Sequence, residues 1–481
     1  MFLGIDIGTS EVKALLLNAQ HQIIGSAGAA LTISRPQPGQ SEQQPRDWWT
    51  ATQNTLAALR LAQPLAFSAV QAIGLSGQMH GAVLLDAQHA VLRPAMLWND
   101  TRASLECTQM MQALPSLPQL AGSLVMPGFT APKLRWLATH EPAVFERVAK
   151  VLLPKDYVRF MLTDDFVTDC SDASGTAWLD IEKREWSDAL LELTGLTRQH
   201  MPRLVEGSQA GGVLNAACAR QLGLTPGILV AGGGGDNAAS AVGMGAVNAG
   251  QGFLSLGTSG VLFLVTPSYL PNPASATHAF CHAVPGKWHQ MSVMLSAASC
   301  LQWASQLLGV EAEAVLEAKA SALSMGERAQ APLFLPYLSG ERTPHNSASV
   351  RGSFHGLSHD TTAAHLAYAV MEGVTFGLRD GLRALQAAGC SADRLSLVGG
   401  GARSAFWAQQ LSSSMGVDIV THSGSTSGGA LGAARLAWLA VGGDLATVCT
   451  VPDIDRVFTP DPGEQALLAP RYAQFRQLYR A

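Results

Sequence analysis

Asp6 and the turn that follows it are the first residues of the chain that could do chemistry. Asp6 lies in an apolar run, and the run breaks at Gly8, Thr9 and Ser10 before it resumes. Glycine permits close approach to the backbone, the hydroxyls and amides beyond it can bind phosphate oxygens, and a carboxylate can hold magnesium. The stretch predicts a phosphate turn between two strands. A buried acid before an ordinary hairpin is the open alternative.

The pattern returns in the second half of the chain. Residues 253–261 repeat the strand and the turn, with Ser255 in the place of Asp6 and the run Gly257-Thr258-Ser259 as the second turn. Two related phosphate turns predict two related domains, each holding one side of a nucleotide's phosphate chain. The pairing resembles the actin, hexokinase and Hsp70 class of ATP-binding folds, and only the first turn carries the acid for magnesium.

The second acid that could do chemistry is Asp236. It follows a predicted strand, 228–231, and four glycines, and Asn237 and a run of small residues come after it. This order describes a strand-to-helix turn where a ligand can touch the backbone, with Asp236 at the start of the helix. A helix N-cap is the alternative explanation for an Asp in that position.

A polar group follows another predicted buried strand, 69–75, at Gln78, Met79 and His80. Open α/β sheets place ligands at the carboxyl ends of their strands, so these residues are candidates for substrate binding. A structural role for the lone His80 is the alternative.

Trp98 and Asp100 form a second candidate group for a polyhydroxylated ligand. An aromatic ring beside an acid can stack on a sugar and form charge-assisted hydrogen bonds with its hydroxyls. The alternative is a helix entry in which Asp100 caps the helix and Arg102 is solvated.

A glycine-rich turn follows a third predicted strand, 395–398. Its bare backbone could lie against an adenine ring and an α-phosphate, and a turn without a ligand is the alternative. Downstream, the run of small residues that starts at Ser427 predicts a helix suited to close contact beneath an interdomain cleft. The residues that we assign to the nucleotide are Gly400, Gly401, Ala402 and Ser404.

Length and composition fit a two-domain globular enzyme. A chain of 481 residues exceeds what one hydrophobic core usually serves, and hydrophobic residues make up 47% against 14% charged. The formal net charge of −5 favours neither nucleic acid nor a membrane surface as a partner. We expect domains at 1–246, for the sugar, and at 247–481, for the nucleotide.

The cysteines and the chain start indicate a compartment. Seven cysteines are scattered and never spaced as CxxC, which predicts reduced, mostly buried thiols. The chain reaches Asp6 without a basic leader, and no uninterrupted apolar run lasts the ~18 residues of a membrane span. We therefore expect a cytoplasmic protein. Two connecting stretches, 171–176 and 335–345, are expected to be loops, the first beside the cleft and the second at the surface.

Two longer stretches carry a family resemblance. Residues 128–137, GFTAPKLRWL, and residues 352–372, from GSFHGL to AVME, resemble the two signatures of the FGGY carbohydrate kinases. With both phosphate turns, the glycine run before Asp236 and the turn at 399–404, the resemblance covers about residues 3 to 440. It implies an α/β fold of two ribonuclease-H-like domains with the active site in the cleft, ATP with magnesium, and a homodimer.

The resemblance also implies roles. Residues 78–81 are similar to the substrate loop of family members that phosphorylate D-xylulose at O5, where glycerol kinases carry an Arg-Glu pair instead. Asp236 matches the family's catalytic base and Asp6 its magnesium-associated acid. One departure is that four glycines precede Asp236 where three are expected. A kinase for another ketopentose or polyol, such as L-ribulose, is the alternative.

Two rivals belong to other classes. A chaperone or filament ATPase could use the same fold, but the sugar-binding candidates and the lack of an added client-binding domain argue against it. A G-x-G-x-x-A match at Gly233, Gly235 and Ala238 allows a dinucleotide-dependent oxidoreductase. No βαβ unit with a well-placed second acid accompanies that match.

Overall fold

The computed structural model of the chain describes residues 1–423 and 428–479. The predicted helix start at Ser427 lies outside these ranges. Within them, strands and helices alternate in the manner of an α/β protein, as expected.

The strands, numbered in chain order, have the following bounds: β1 Phe2–Ile7, β2 Glu11–Leu17, β3 Ile23–Ala30, β4 Glu42–Gln43, β5 Ala72–Gly77, β6 Val83–Leu85, β7 Ala95–Met96, β8 Lys150–Leu152, β9 Val167–Asp169, β10 Leu179–Asp180, β11 Glu185–Trp186, β12 Arg203–Val205, β13 Ala210–Val213, β14 Leu229–Ala231, β15 Gly234–Gly235, β16 Gly252–Leu256, β17 Gly260–Thr266, β18 His278–Cys281, β19 Trp288–Met294, β20 Leu333–Leu335, β21 Ser353–His355, β22 Arg394–Val398, β23 Asp418–His422 and β24 Ile454–Phe458.

The α-helices have the following bounds: α1 Pro45–Ala62, α2 Pro64–Ser68, α3 Ser104–Ala113, α4 Leu117–Leu120, α5 Thr130–His140, α6 Pro142–Phe145, α7 Pro154–Thr163, α8 Cys170–Ser174, α9 Asp188–Glu192, α10 Ala216–Leu222, α11 Asp236–Gly243, α12 Ser299–Leu307, α13 Glu313–Ser321, α14 Met325–Gln330, α15 Ala363–Ala387, α16 Ala405–Met415, α17 Gly428–Ala440, α18 Leu445–Val448 and α19 Pro462–Leu478. Short 3₁₀ helices lie at Arg198–His200, Pro273–Ser275 and Gly400–Arg403.

The first sheet has the order β13-β14-β5-β1-β2-β3, with β15 also paired to β5. Strand β2 is antiparallel to both of its neighbours, β1 and β3, whereas β1, β5 and β14 are parallel. Strands β1 and β2 therefore form the antiparallel hairpin that the sequence predicts from an apolar run broken at Gly8, Thr9 and Ser10. The carboxyl ends of β1 and β5 lie side by side, which brings the first phosphate turn next to the predicted substrate loop.

The second sheet repeats this arrangement in the order β18-β19-β17-β16-β22-β23-β24. The hairpin of β16 and β17 corresponds to that of β1 and β2, and β22 and β23 run parallel to β16 as β5 and β14 do to β1. The repeated topology confirms the two related α/β halves inferred from the repeated turn.

Helices α11 and α17 pack tightly against each other. A methyl group on Gly432 of α17 would lie 1.7 Å from the carbonyl oxygen of Ala239 in α11, so only glycine permits this approach. The other side of α17 lies on the first sheet, where a methyl group on Gly74 would lie 1.8 Å from the Ala433 carbonyl oxygen. The expected close helix contact is confirmed for the described part of this helix. A helix from the second half of the sequence thus covers the sheet of the first half.

Two of the expected loops are wrong in detail. The stretch 171–176 begins within α8, because the Asp169 carboxylate caps a short helix by accepting the amides of Ser171 and Asp172. The stretch 335–345 is largely buried, with Tyr337 and Thr343 inside the second half. All seven cysteines are free and buried, as expected. Among the helices in the described ranges, none is long and apolar enough to cross a membrane.

Candidate active site

The predicted substrate loop lies directly against the segment that carries Asp236. Met79 is buried, and a methyl group on Gly235 would lie 2.9 Å from its Cγ atom. Gly175, which follows α8, closes the other side, since a methyl group there would lie 2.9 Å from Met79 Cε and 2.5 Å from His80 Cε1. Glycines at both positions let the loop and the Asp236 segment touch. This contact joins two candidates that are far apart in the sequence.

His80 is held in one orientation and one protonation state. Its backbone has a positive φ of 72°, its ring stacks on Phe129 at 4.6 Å, and its Nδ1 atom lies 2.6 Å from the carbonyl oxygen of Gly175. Because a carbonyl only accepts, Nδ1 carries the proton and Nε2 is left as an acceptor. Burial lowers the pKa of His80 to about 3, so the ring is neutral at ordinary pH.

A lysine from the first family signature, Lys133, stabilises the substrate loop. Lys133 in α5 is buried, and its ammonium group donates to the carbonyl oxygens of His80 at 2.9 Å and Met96 at 3.1 Å. The Thr130 hydroxyl donates to the same His80 oxygen at 3.2 Å. Burial lowers the pKa of Lys133 to about 7. The sequence marks Lys133 only as part of a signature, and the structure shows why it is there.

Asp236 is the first residue of α11, and Gly235 occupies the N-cap position, so the N-cap explanation is wrong. The Oδ1 atom of Asp236 accepts the backbone amide of Asn237 at 2.7 Å and its side-chain amide at 2.9 Å. Asn237 thus orients the carboxylate. Burial raises the pKa of Asp236 to about 6, and the negative charge of Asp6 contributes to the rise. The two acids that the sequence singled out therefore face one site.

Asp6 lies where a cation would be stabilised. Its Oδ1 atom is buried without a hydrogen-bond partner among the described residues, and burial raises its pKa. A methyl group on Gly429, in the first turn of α17, would lie 2.7 Å from the Asp6 carboxyl carbon. A carboxylate with an unsatisfied oxygen, beside a second acid, fits magnesium, which takes one or two carboxylates and keeps much of its water. In the described ranges no group of three His, Cys, Asp or Glu side chains could hold a metal on its own.

Trp98 and Gln78 connect to the first phosphate turn. Half of Trp98 is exposed, at 50%, and its indole nitrogen donates to the Thr9 hydroxyl at 3.0 Å. The same hydroxyl donates to Gln78 Oε1 at 2.9 Å, and the Gln78 amide donates to Gly8 and Gln43 oxygens. Trp98 keeps an open ring face for a ligand. Gln78 is buried, and its side-chain amide bonds to the phosphate turn, so it stabilises the turn in this structure.

The placement of Asp100 corrects the assignment of this residue to the substrate. Asp100 has no exposed surface, and its oxygens accept from the Ser41 amide at 2.8 Å and from the Arg102 guanidinium at 2.7 Å. Arg102 also bonds Glu42 at 2.7 Å, so it is not solvated either. Neither a sugar-binding Asp100 nor a helix-capping Asp100 with a solvated Arg102 anticipates these buried ion pairs, because the partner Glu42 is distant in the chain. Asp100 fixes the segment that carries Trp98.

The second phosphate turn and the third glycine-rich turn share one cavity of about 820 Å³. Helices α12 and α13 form its opposite wall and contribute Gln302 and Glu317, which the sequence did not single out. The Ser404 hydroxyl caps α16 by accepting the Trp407 amide at 3.0 Å and donates to Glu317 at 2.5 Å. The predicted nucleotide residues that line the cavity are Gly257, Thr258, Gly400, Gly401 and Ser404.

Of the nucleotide residues predicted in the second half, Ser259 and Ala402 do not line this cavity. Ala402 lines a neighbouring one of about 350 Å³, on the other side of the turn. Ser259 follows Thr258 and leaves the cavity wall, because the Gly257 amide donates to the Ser259 carbonyl oxygen at 3.1 Å and closes the turn. In the first half, Ser10 is exposed at the tip of its own turn.

Comparison with known proteins gives a consistent result. The family model described as the FGGY family of carbohydrate kinases, N-terminal domain, matches residues 1–243, and that for the C-terminal domain matches residues 252–441. The chain is 48% identical to the xylulose kinase of Escherichia coli over 482 residues, which is 100% of this chain and 99% of that protein.

Solved structures agree with the sequence matches. The "xyloylose kinase" of Brucella ovis superposes with a TM-score of 0.96 at 49% identity and covers 99% of this chain and 98% of that one. The xylulose kinase of Rhodospirillum rubrum superposes with a TM-score of 0.93 at 29% identity, covering 99% of this chain and 98% of that one.

Proposed function

The chain belongs to the FGGY family of carbohydrate kinases, and on that premise we propose that it transfers the γ-phosphoryl group of ATP to O5 of D-xylulose. The observation that carries the proposal is the contact between the Met79-His80 loop and the Gly235-Asp236 segment. It puts a neutral histidine acceptor and a carboxylate beside the same space, as recognition and activation of a sugar hydroxyl require. The xylulose kinases that the chain resembles over its whole length support the choice of sugar.

In the proposed reaction Asp236 accepts the proton of the O5 hydroxyl while O5 bonds to the γ-phosphorus. The bond between that phosphorus and the bridging oxygen breaks, and ADP leaves. With a pKa of about 6, the Asp236 carboxylate is mostly ionised at neutral pH yet basic enough to take a proton. Asn237 fixes the direction in which the carboxylate points. The chemistry depends chiefly on positioning and charge stabilisation.

The second half of the molecule supplies the nucleotide site in this proposal. The cavity between the second phosphate turn and the turn at 399–404 accommodates the nucleotide, with glycine backbone against the base and phosphates. Asp6, with Asp236 nearby, would hold hydrated magnesium, which neutralises charge on the phosphoryl oxygens when it is bound. The amides of Gly8 to Ser10 would bind oxygens on the other side of the transferred group.

The first prediction concerns the choice of sugar. In an assay of ADP release, D-xylulose should give the highest kcat/KM among D-xylulose, D-ribulose, L-ribulose, L-xylulose, glycerol and gluconate. The reason is that Met79 and His80 stand where other family members carry residues for other substrates. ATP hydrolysis without sugar should be slow, since closure around the sugar completes the site. A clear preference for L-ribulose or glycerol would contradict the substrate assignment. Sugar-independent turnover of equal rate would favour an ATPase of another class.

The second prediction follows from the raised pKa of Asp236, which is about 6. A general base must be ionised, so kcat/KM for the sugar should be constant above pH 7 and fall about tenfold per pH unit well below pH 6. The group responsible titrates in the free enzyme, and the kcat/KM profile reports that state. A profile that stays flat down to pH 5 would contradict a base with this pKa.

We also propose a homodimer in the cytoplasm. The family resemblance supports the dimer, and the seven free, buried thiols suit a reducing compartment. Sedimentation velocity of the purified protein tests the dimer, and a monomer at micromolar concentration would contradict it.

A further inference from the structure

Five charged side chains form a cluster in the interior of the first half, and each has no exposed surface. Helix α7 supplies three of them, and β9 and α8 supply one each. They are Lys155, Asp156, Arg159, Asp169 and Asp172, called here the anchor cluster.

Lys155 stands at the centre of the anchor cluster. Its ammonium nitrogen lies 2.6 Å from Asp156, 2.9 Å from Asp169 and 3.0 Å from Asp172. Burial and the neighbouring carboxylates raise the pKa of Asp172 well above its usual range. Two basic side chains thus face three carboxyl groups without contact with water. Burying charged groups is costly, and the backbone contacts of the cluster indicate what it stabilises.

The anchor cluster holds both ends of the glycine segment before Asp236. At one end the Arg159 guanidinium donates to the carbonyl oxygens of Ala231 and Gly232, both at 2.5 Å. At the other end the Ser171 hydroxyl accepts the Gly235 amide at 3.1 Å while it donates to Asp169. Four glycines in a row have no side chains with which to fix their own path. These hydrogen bonds take the place of side-chain packing.

The same two helices also touch the substrate loop. A methyl group on Gly81 would lie 2.5 Å from Cγ of Pro154, the first residue of α7. The Gly175 carbonyl oxygen, directly after α8, lies 2.6 Å from His80 Nδ1. By joining α7 to α8, the anchor cluster therefore fixes the distance between the substrate loop and the Asp236 segment.

We propose that the anchor cluster, acting through Ser171 and Arg159, is a positioning device that sets the Asp236 carboxylate against the sugar hydroxyl. The proposal rests on the catalytic role of Asp236 given above. A displacement of about 1 Å at a reacting group can cost on the order of 10²-fold in rate, so loosening the segment should act on turnover. Sugar binding by His80 should change little, because Arg159 and Ser171 bond to the glycine segment, whereas Gly175 and Lys133 hold His80.

The test compares Ser171→Ala with Ser174→Ala. Both serines are buried in α8, and each accepts one backbone amide, but Ser174 accepts that of Cys281 at 3.1 Å instead of the glycine segment. We expect Ser171→Ala to lower kcat at least about tenfold with an unchanged sugar Kd. Ser174→Ala should lower Tm by as much as Ser171→Ala does, but it should keep the wild-type kcat. Equal kcat values for the two variants would overturn the proposal.

A second pair removes a guanidinium instead of a hydroxyl. Arg159→Lys keeps the positive charge but loses the paired hydrogen bonds from the guanidinium group to the carbonyl oxygens of Ala231 and Gly232. Arg471→Lys is the matched control, because Arg471 is also buried, pairs with Glu372 at 2.6 Å and donates to backbone carbonyls far from the site. Arg159→Lys should lower kcat by a further order of magnitude beyond Arg471→Lys. If kcat falls in proportion to Tm in both variants, the role of Arg159 is purely structural and the proposal is overturned.

Failure of the anchor-cluster proposal can be distinguished from failure of the proposed function. Each variant is assayed on whichever sugar the wild type phosphorylates best, so an error in the sugar leaves the comparison intact. If Asp236→Asn proves fully active, the catalytic assignment fails before the anchor variants are interpreted.

Discussion

Asp236→Asn should lower kcat by a factor on the order of 10²–10⁴, the size expected when a general base is lost. The amide has nearly the shape of the carboxylate and can still hydrogen-bond a hydroxyl, so the Kd for D-xylulose should change little. Stopped-flow or coupled measurement of kcat, with calorimetric sugar Kd, checks both values. A stable variant that binds sugar and keeps more than about a tenth of wild-type turnover would contradict the assignment.

The same substitution should not lower Tm at pH 8. The folded pKa of Asp236 is about 6, above the ordinary value of 3.8 for this group. The stabilisation linked to its protonation is therefore fully present below pH 4 and lost as pH rises through 6. Asn carries no charge and avoids that loss. Asp444→Asn is a matched control, because the Asp444 carboxylate does cap a helix by accepting the Thr447 amide at 3.0 Å, and Asn should replace it without loss of activity.

Asp6→Ala has the second largest expected effect, a fall in kcat of roughly 10²–10³, since a metal ion's charge stabilisation is worth several kcal/mol. The Asp6 carboxylate has a buried oxygen without a partner and lies against the first turn of α17, so it is available to a cation. The magnesium concentration for half-maximal activity should rise, and added magnesium should restore part of the rate. Activity is measured across a magnesium titration beside Tm.

The alternative to a magnesium role is a buried acid that only stabilises the strand. Burial already raises the pKa of Asp6, so its ionised form is disfavoured in the folded protein and its removal should not unfold β1. A variant that loses Tm sharply while its magnesium dependence stays that of the wild type would favour this alternative.

The two hairpins and the start of α11 could be predicted because their signals are local. An apolar run broken by Gly-Thr-Ser predicts two strands joined by a tight turn, and a strand, glycines and an acid predict a strand-to-helix turn. The repeated turn then implied the repeated sheet. These are short-range rules, and the structure follows them within one or two residues at most ends.

The misjudged residues depend on partners that are distant in the sequence. Asp100 and Arg102 look like a solvated helix start, but Glu42 and the Ser41 amide take them into the interior. No window of sequence around position 100 contains those partners. Distant partners also hold Gln78, whose side-chain amide bonds to Thr9 and Gln43 in two other segments, and its contact with the substrate stays a prediction.

The anchor cluster escaped the sequence analysis for a related reason. Lys155 and Arg159 lie four residues apart in α7, which is a usable signal because two bases on one helix face among buried residues need acids nearby. Asp156 in the same helix is one of these acids, but the other two, Asp169 and Asp172, come from β9 and α8. A charge within an apolar face therefore predicts that a partner exists but not which one.

We propose that ATP phosphorylates O5 of D-xylulose in the space between the substrate loop and Asp236. The most direct test is the carbon-13 NMR spectrum of the sugar product made from D-xylulose and ATP by the wild-type protein. We expect that the C5 resonance is split by coupling to phosphorus and that one ADP forms per sugar phosphate. Coupling at C1 instead of C5, or ADP without a sugar phosphate, would contradict it.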